Sequence, residues 1–310
     1  MGKIAFVFPG QGSQSVGMGY DIYNESEIAR NVYDRFNKIL VRNLTKVCFE
    51  GPDEELKLTI NTQPAILATS IAFLEVIKAE TKIRPDYVCG HSLGEYAALY
   101  EAGVLDLDGT ISAIAKRAEL MGKSKGGAMA AVLGLSQEKV QEVVREASET
   151  AYVDVANYNT PEQIVITGSV EGVQKATEFL SAAGAKRVIP LAVSGAFHSA
   201  MMKDAATEFS SFVNELLVND AKIPVITNVD AQETTSKAEF VKKMPQQIYS
   251  SVYWTQTVQK LQNNGVETVF EIGPGKVLAG LIKKNAPDMK VINISDSKSL
   301  HAFLESEQEL

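Results

Sequence analysis

The sequence predicts an α/β protein whose main sheet is interrupted by a second, ferredoxin-like unit. Short, continuous apolar runs alternate with longer stretches of helical period, as in sheets covered on both faces. The middle of the chain changes rhythm to strand, helix, two strands, helix, strand. A serine framed by glycines, GHSLG (90–94), stands between a strand and a helix. With 310 residues, 45% of them hydrophobic and 22% charged, the chain is large enough for two units.

IAFVF (4–8) predicts the first strand, and the glycine-rich FPGQGSQSVGMG (8–19) follows it. As a phosphate cradle that stretch fails, because Met18 stands where a P-loop requires lysine. The segment 63–80 predicts a helix, with Ile66, Ser70, Phe73 and Ile77 recurring at helical spacing. DYVCG (86–90) predicts a second strand, and EYAALYEAG after it a helix that ends at Gly103. DGTISAIAKRAELMG (108–122) predicts another helix, with Ile111, Ile114, Ala115 and Ala118 on its apolar face.

In the middle region, strands are expected at 127–135, 151–158, 162–168 and 186–193, with helices at 136–149 and 170–184. Ser136 and Glu138 supply the cap and first-turn charge of the first of these helices. GKSKGG (122–127) and Ser194 with Gly195 mark the expected boundaries. The division is therefore a catalytic unit of 1–124 and 196–310 and a ferredoxin-like unit of 125–195. IPVIT (223–227), ETVFEI (267–272) and KVINI (290–294) return the chain to the first sheet as parallel strands. GPGKVLAG (273–280) is no phosphate loop either, with Val277 after the lysine.

The formal net charge of −8 argues against nucleic acid as a main partner. Two cysteines, Cys48 and Cys89, and three histidines are too few for a Cys/His zinc site or a disulfide framework. No metal is expected. The start, MGKIAFVFPG, is too short for a signal peptide, and Phe6 stands where myristoylation requires Ser or Thr. The apolar run 65–74 is half a membrane span. A soluble, cytoplasmic protein without membrane contact is expected.

The strand, turn and helix around Ser92 form the frame of a nucleophile elbow. The helix start directs backbone N–H groups at the site, so the Leu93 amide is a candidate oxyanion donor. Gln11, in the glycine-rich turn after the first strand, is the side chain expected to join it. A serine needs a base. His91 is adjacent and should point away along the turn, while His301 lies in a polar C-terminal helix. His198, in VSGAFHSAMM at a strand end, is the base by elimination.

These residues are recognisable together. FPGQGSQ, TQPA (62–65), GHSLGEYAAL, Arg117, GAMAAV, NYNTPEQIVITG (157–168), GAFHS, QQIYSSVYW (246–254) and EIGPGKVL (271–278) resemble the malonyl-CoA:acyl carrier protein transacylase family, in order and at family-like spacing. The resemblance implies an α/β-hydrolase-like core with a ferredoxin-like insertion. It implies that Ser92 is acylated with His198 as base, and that Gln11 and the Leu93 amide bind the oxyanion. Arg117 would hold the malonyl carboxylate, and the carbonyl oxygen at Gln247 would orient the histidine. Gln63, Asn157, Asn159 and Phe197 would line the substrate cleft. Ala118 after the arginine, the short GKSKGG link and Phe197 in GAFHS also look like free-standing acyltransferases that serve polyketide synthases.

The implied partners are malonyl-CoA, as substrate rather than cofactor, and an acyl carrier protein. Carrier docking would need a local basic patch, for which Lys186 and Arg187, Lys242 and Lys243, and Lys283 and Lys284 are candidates. A monomer is expected, since no coiled coil or interface stripe is present. A serine thioesterase of the same fold is the competing enzyme reading, and it favours an acidic third member behind the histidine. A carrier-binding scaffold without catalysis is the competing non-enzyme reading.

Overall fold

The computed structural model describes residues 2–193 and 195–308. Its ten strands are β1 (Lys3–Phe8), β2 (Tyr87–Gly90), β3 (Gly127–Leu133), β4 (Val153–Thr160), β5 (Gln163–Ser169), β6 (Arg187–Pro190), β7 (Val225–Ile226), β8 (Glu233–Thr234), β9 (Val266–Ile272) and β10 (Lys290–Ile294). They form a six-stranded sheet in the order β10-β9-β1-β2-β7-β8 and a four-stranded sheet in the order β4-β5-β3-β6.

The six-stranded sheet is parallel from β10 to β7. Its central strands read as unbroken apolar runs because both faces are covered. In β1, Phe6 and Phe8 enter one core, while Ala5 and Val7 join Cys89 and Trp254 in a second core on the other face. Cys89 is thus a small, fully buried apolar side chain. The two-residue β8 runs antiparallel to β7 and makes the sheet mixed rather than all-parallel. A strand that short carries no periodicity for a sequence to display. IPVIT contributes only Val225 and Ile226 to β7.

The four-stranded sheet is wholly antiparallel, and its order places the first and third strands of the unit at the centre. Helices Gln137–Ser148 and Val170–Ala182 pack on it around a core of their own, which includes Val132, Val140, Ile164 and Leu180. Ser136 caps the first of these helices, its side chain accepting from Lys139 N. This is the ferredoxin-like arrangement. β6 ends at Pro190, short of the expected 193, and Leu191 and Val193 beyond it line a cavity instead. Ser194, part of the expected second boundary, lies outside the described residues.

Helix Thr59–Glu80 is long and apolar enough to cross a bilayer, yet 89% of its apolar window is buried inside the protein. It begins four residues before the expected start and is buried nearly all round, rather than along one stripe. Pro64 has no N–H to give to Ile60 O, and Arg42 Nη2 donates to that carbonyl instead, at 2.5 Å.

Candidate active site

The site forms where β2 ends and the chain turns into a helix. Ser92 has φ 52°, a left-handed conformation that costs a non-glycine residue on the order of 1–3 kcal/mol. A short 3₁₀ turn, Ser92–Gly94, then runs into helix Glu95–Glu101. The flanking glycines let backbone touch backbone. A Cβ on Gly90 would lie 2.0 Å from the Gly94 carbonyl carbon, and one on Gly94 would lie 2.2 Å from Phe8 O. The strained turn exists because no side chain intervenes between the helix start and β1.

His198 Nε2 lies 2.8 Å from Ser92 Oγ. Its Nδ1 lies 2.9 Å from Gln247 O and 3.1 Å from Ser250 O. Both carbonyls can only accept, so Nδ1 carries the proton and Nε2 is left to accept from the Ser92 hydroxyl. These carbonyls, with Ile248 O, which accepts from His198 N at 3.1 Å, belong to the end of helix Lys237–Tyr249. A helix C-terminus leaves its last carbonyls without intrahelical partners and carries partial negative charge. Here those groups seat the imidazole where a protease would use a carboxylate. Burial, with the Arg117 and His91 charges, pushes the His198 pKa down to about 3.

Arg117 lies on helix Leu107–Gly122, which Asp106 caps by accepting from Gly109 N at 2.7 Å. Its side chain is 0% exposed. Nη2 donates to Ser92 Oγ at 3.0 Å and Nη1 to Gln63 Oε1 at 2.7 Å. The guanidinium sits over the Tyr96 ring, and its Nε has no hydrogen-bond partner among the described residues. Nor does any carboxylate pair with it among them. Burial pushes its pKa down, against the opposing effects of Tyr96 and Glu95.

A cavity of about 100 Å³ opens onto Ser92 and His198. Gln11, Gln63, Asn157 and Phe197 are in its wall, with Leu191 and Val193 contributed from the chain leaving β6. Gln247 stands behind the histidine, buried, and only its carbonyl faces the ring. The Leu93 side chain is buried, and its amide donates to no group among the described residues. Asn159 is not in the cavity wall. Its Oδ1 is 2.8 Å from His91 Nε2, so it ties the elbow to β4 instead. His91 directs its Nε2 at Asn159 rather than at Ser92, and it also lines the cavity. His301 is exposed, 3.4 Å from Glu25.

The basic pairs separate. Lys186, Lys283 and Lys284 line one surface concavity. Lys243 is buried, bonded to Asp230 and Thr234 at 2.8 Å each, and cannot serve a docking partner. Three residues of the site escape sequence reasoning: Ser250, Asn228 and Glu95. Ser250 acts through a backbone carbonyl, which residue type does not reveal. Glu95 follows GHSLG directly, and its burial is visible only in the fold.

The chain matches the acyl transferase domain family over residues 5–301. It is 44% identical over 313 residues to the malonyl CoA-acyl carrier protein transacylase of Bacillus subtilis (strain 168), covering 100% of this chain and 98% of that protein. It is 40% identical over 311 residues to the protein of that name from Staphylococcus aureus (strain MRSA252), covering 99% and 100%. An acyl carrier protein S-malonyltransferase from Vibrio cholerae superposes with a TM-score of 0.94 at 38% identity, covering 97% of this chain and 99% of that one. A malonyl-transacylase in complex with its type II polyketide synthase acyl-carrier protein superposes with a TM-score of 0.95 at 37% identity, covering 98% and 99%.

Proposed function

The chain belongs to the malonyl-CoA:acyl carrier protein transacylase family, and from that membership we propose that it moves a malonyl group from coenzyme A, through an ester on Ser92, to the thiol of an acyl carrier protein. The observation that carries this reading is a buried guanidinium, without a carboxylate partner among the described residues, 3.0 Å from the nucleophile. A substrate that brings its own carboxylate compensates such a charge, and an arginine offers the carboxylate two parallel donors.

The neutral His198 takes the Ser92 proton as Oγ attacks the thioester carbonyl, and Gln11 and the Leu93 amide receive the oxyanion. The coenzyme A thiolate departs with the proton from His198. A carrier thiol then enters, gives its proton to His198 and attacks the ester, and the departing Ser92 Oγ takes that proton back from His198. A thiolate leaves more readily than an amine, so backbone carbonyls suffice to orient the imidazole. Backbone carbonyls at His198 Nδ1, with no Asp or Glu there among the described residues, favour transfer over the thioesterase reading.

The division into 1–124 with 196–310 and 125–195, a cytoplasmic setting and a monomeric state complete the proposal. The two units would close over the acyl group, and the carrier would present its acidic surface to the concavity holding Lys186, Lys283 and Lys284. Supplying malonyl-CoA with and without carrier protein tests the reading. Malonyl-carrier should accumulate far faster than free malonate; equal malonate release in both mixtures identifies a hydrolase.

A further inference from the structure

We infer that Asn228, held in place by Glu95, is the positioning residue that keeps Ser92 in its reactive backbone conformation. This rests on the proposal that Ser92 is the acylated residue. Asn228 is 0% exposed and lies in the loop after β7, far from the elbow in sequence. Its Oδ1 accepts from Ser92 N at 2.8 Å, and its Nδ2 donates to Gly90 O at 2.7 Å. One side chain therefore grips the backbone on both sides of His91. Gln247 Nε2 completes the clamp, donating to Ser92 O at 2.9 Å and to Asn228 Oδ1 at 3.3 Å.

The chemistry selects an amide. A primary amide accepts and donates at once, so it can take the Ser92 N–H and supply Gly90 O together. A carboxylate cannot donate, and an aliphatic isostere can do neither. Glu95 fixes the loop that carries the amide. Its Oε2 accepts from Asn228 N at 2.6 Å, and the carboxyl is buried three residues beyond the nucleophile. Ser92, the first turn of its helix, Glu95 and Asn228 thus close a ring of covalent and hydrogen bonds. Neither Asn228 nor Glu95 is in the cavity wall, so both act through Ser92 rather than on the substrate. The same Gln247 that aims the histidine through its carbonyl also holds the serine through its side chain.

The test is single-turnover malonylation of Ser92, followed by mass spectrometry at increasing malonyl-CoA, for wild type, Asn228→Ala, Glu95→Gln and Glu95→Ala. Releasing the elbow should lower the Asn228→Ala rate constant about 10²-fold, with half-saturation within about twofold because the cavity and Arg117 are intact. Glu95→Gln keeps an oxygen for the Asn228 amide and should stay within about threefold of wild type, while Glu95→Ala falls toward Asn228→Ala. A wild-type rate in Asn228→Ala, or a loss lying wholly in half-saturation, overturns the inference. If Asn228→Ala does not fold, the Glu95 pair decides: a slow Glu95→Ala with unchanged half-saturation supports it. A wild-type rate in Glu95→Ala, or its failure to fold as well, overturns it. Wild-type protein that takes no malonyl defeats the proposed function itself; labelling of wild type and both alanine variants at one rate defeats only this inference.

Discussion

A guanidinium without a counter-ion is costly to bury, and Arg117 keeps its place because Gln63, Ser92 and the Tyr96 face share its donors and charge. The reward arrives with a carboxylate. Charge-assisted bonds contribute about 1.5–3 kcal/mol each, so losing two should slow malonyl loading by at least about 10²-fold. Arg117→Ala should therefore lose malonyl loading of Ser92 and keep or gain acetyl loading, measured with the two CoA thioesters in parallel. Equal loss of both would make Arg117 structural. His198 carries a second prediction. With its pKa pushed down to about 3 it is neutral, and so a competent base, far below the ordinary 6.5. Loading of Ser92 should thus hold its rate as pH falls from 8 to about 5. An acid limb centred near 6.5 would show that the imidazole is not shielded from water and charge in the working enzyme.

At the scale of elements, two helix ends do the work. The start of the helix after Ser92 is pressed so closely on β1 that Gly90 and Gly94 admit no side chain. Gly94→Ala must push against the Phe8 carbonyl, a rigid neighbour, and should either unfold the protein or displace Ser92 and abolish loading. Ordinary thermal stability with full loading would mean the elbow tolerates far more than its contacts allow. The end of helix Lys237–Tyr249 aims carbonyls at His198, replacing an acidic side chain. These two devices differ in how readily they are seen. G-x-S-x-G between an apolar run and a helix is a pattern of residue types, and it announces the elbow directly. Carbonyls at a helix end belong to every residue alike, so only the resemblance pointed to Gln247 and nothing pointed to Ser250. Asn228 joins the site across more than a hundred residues, and no local spacing encodes that meeting.

For the whole molecule, the site lies between the two sheets. His91 reaches β4 through Asn159, and Tyr158 N donates to Val252 O at 2.9 Å, so both units contribute to the walls. The outline of this architecture was legible because buried parallel strands are continuous apolar runs and the inserted unit repeats a known strand and helix order. The two-residue β8 and the early end of β6 were not, since pairing and cavity contacts set them rather than pattern. Burial of titratable groups between the sheets also ties stability to pH. His198 and His91 both have lowered pKa values, so their contribution is present above about 6.5 and is lost as pH falls. Glu95, pushed up to about 7 by burial, has the opposite sign: its contribution is present below 4.5 and lost as pH rises through 7. Between about pH 4.5 and 7 the melting temperature of wild type should therefore lose an increment that Glu95→Gln keeps, so the variant gains on wild type across that window. Parallel curves for the two proteins from pH 4.5 to 7 would place the effect elsewhere.

The most direct measurement is intact and peptide-mapped mass spectrometry of the protein mixed with malonyl-CoA, before and after adding a carrier protein that bears its thiol. A malonyl ester on Ser92 should form, persist in buffer, and pass to the carrier when the thiol arrives. No ester on Ser92, or an ester lost to water at one rate with or without the carrier, would contradict the account.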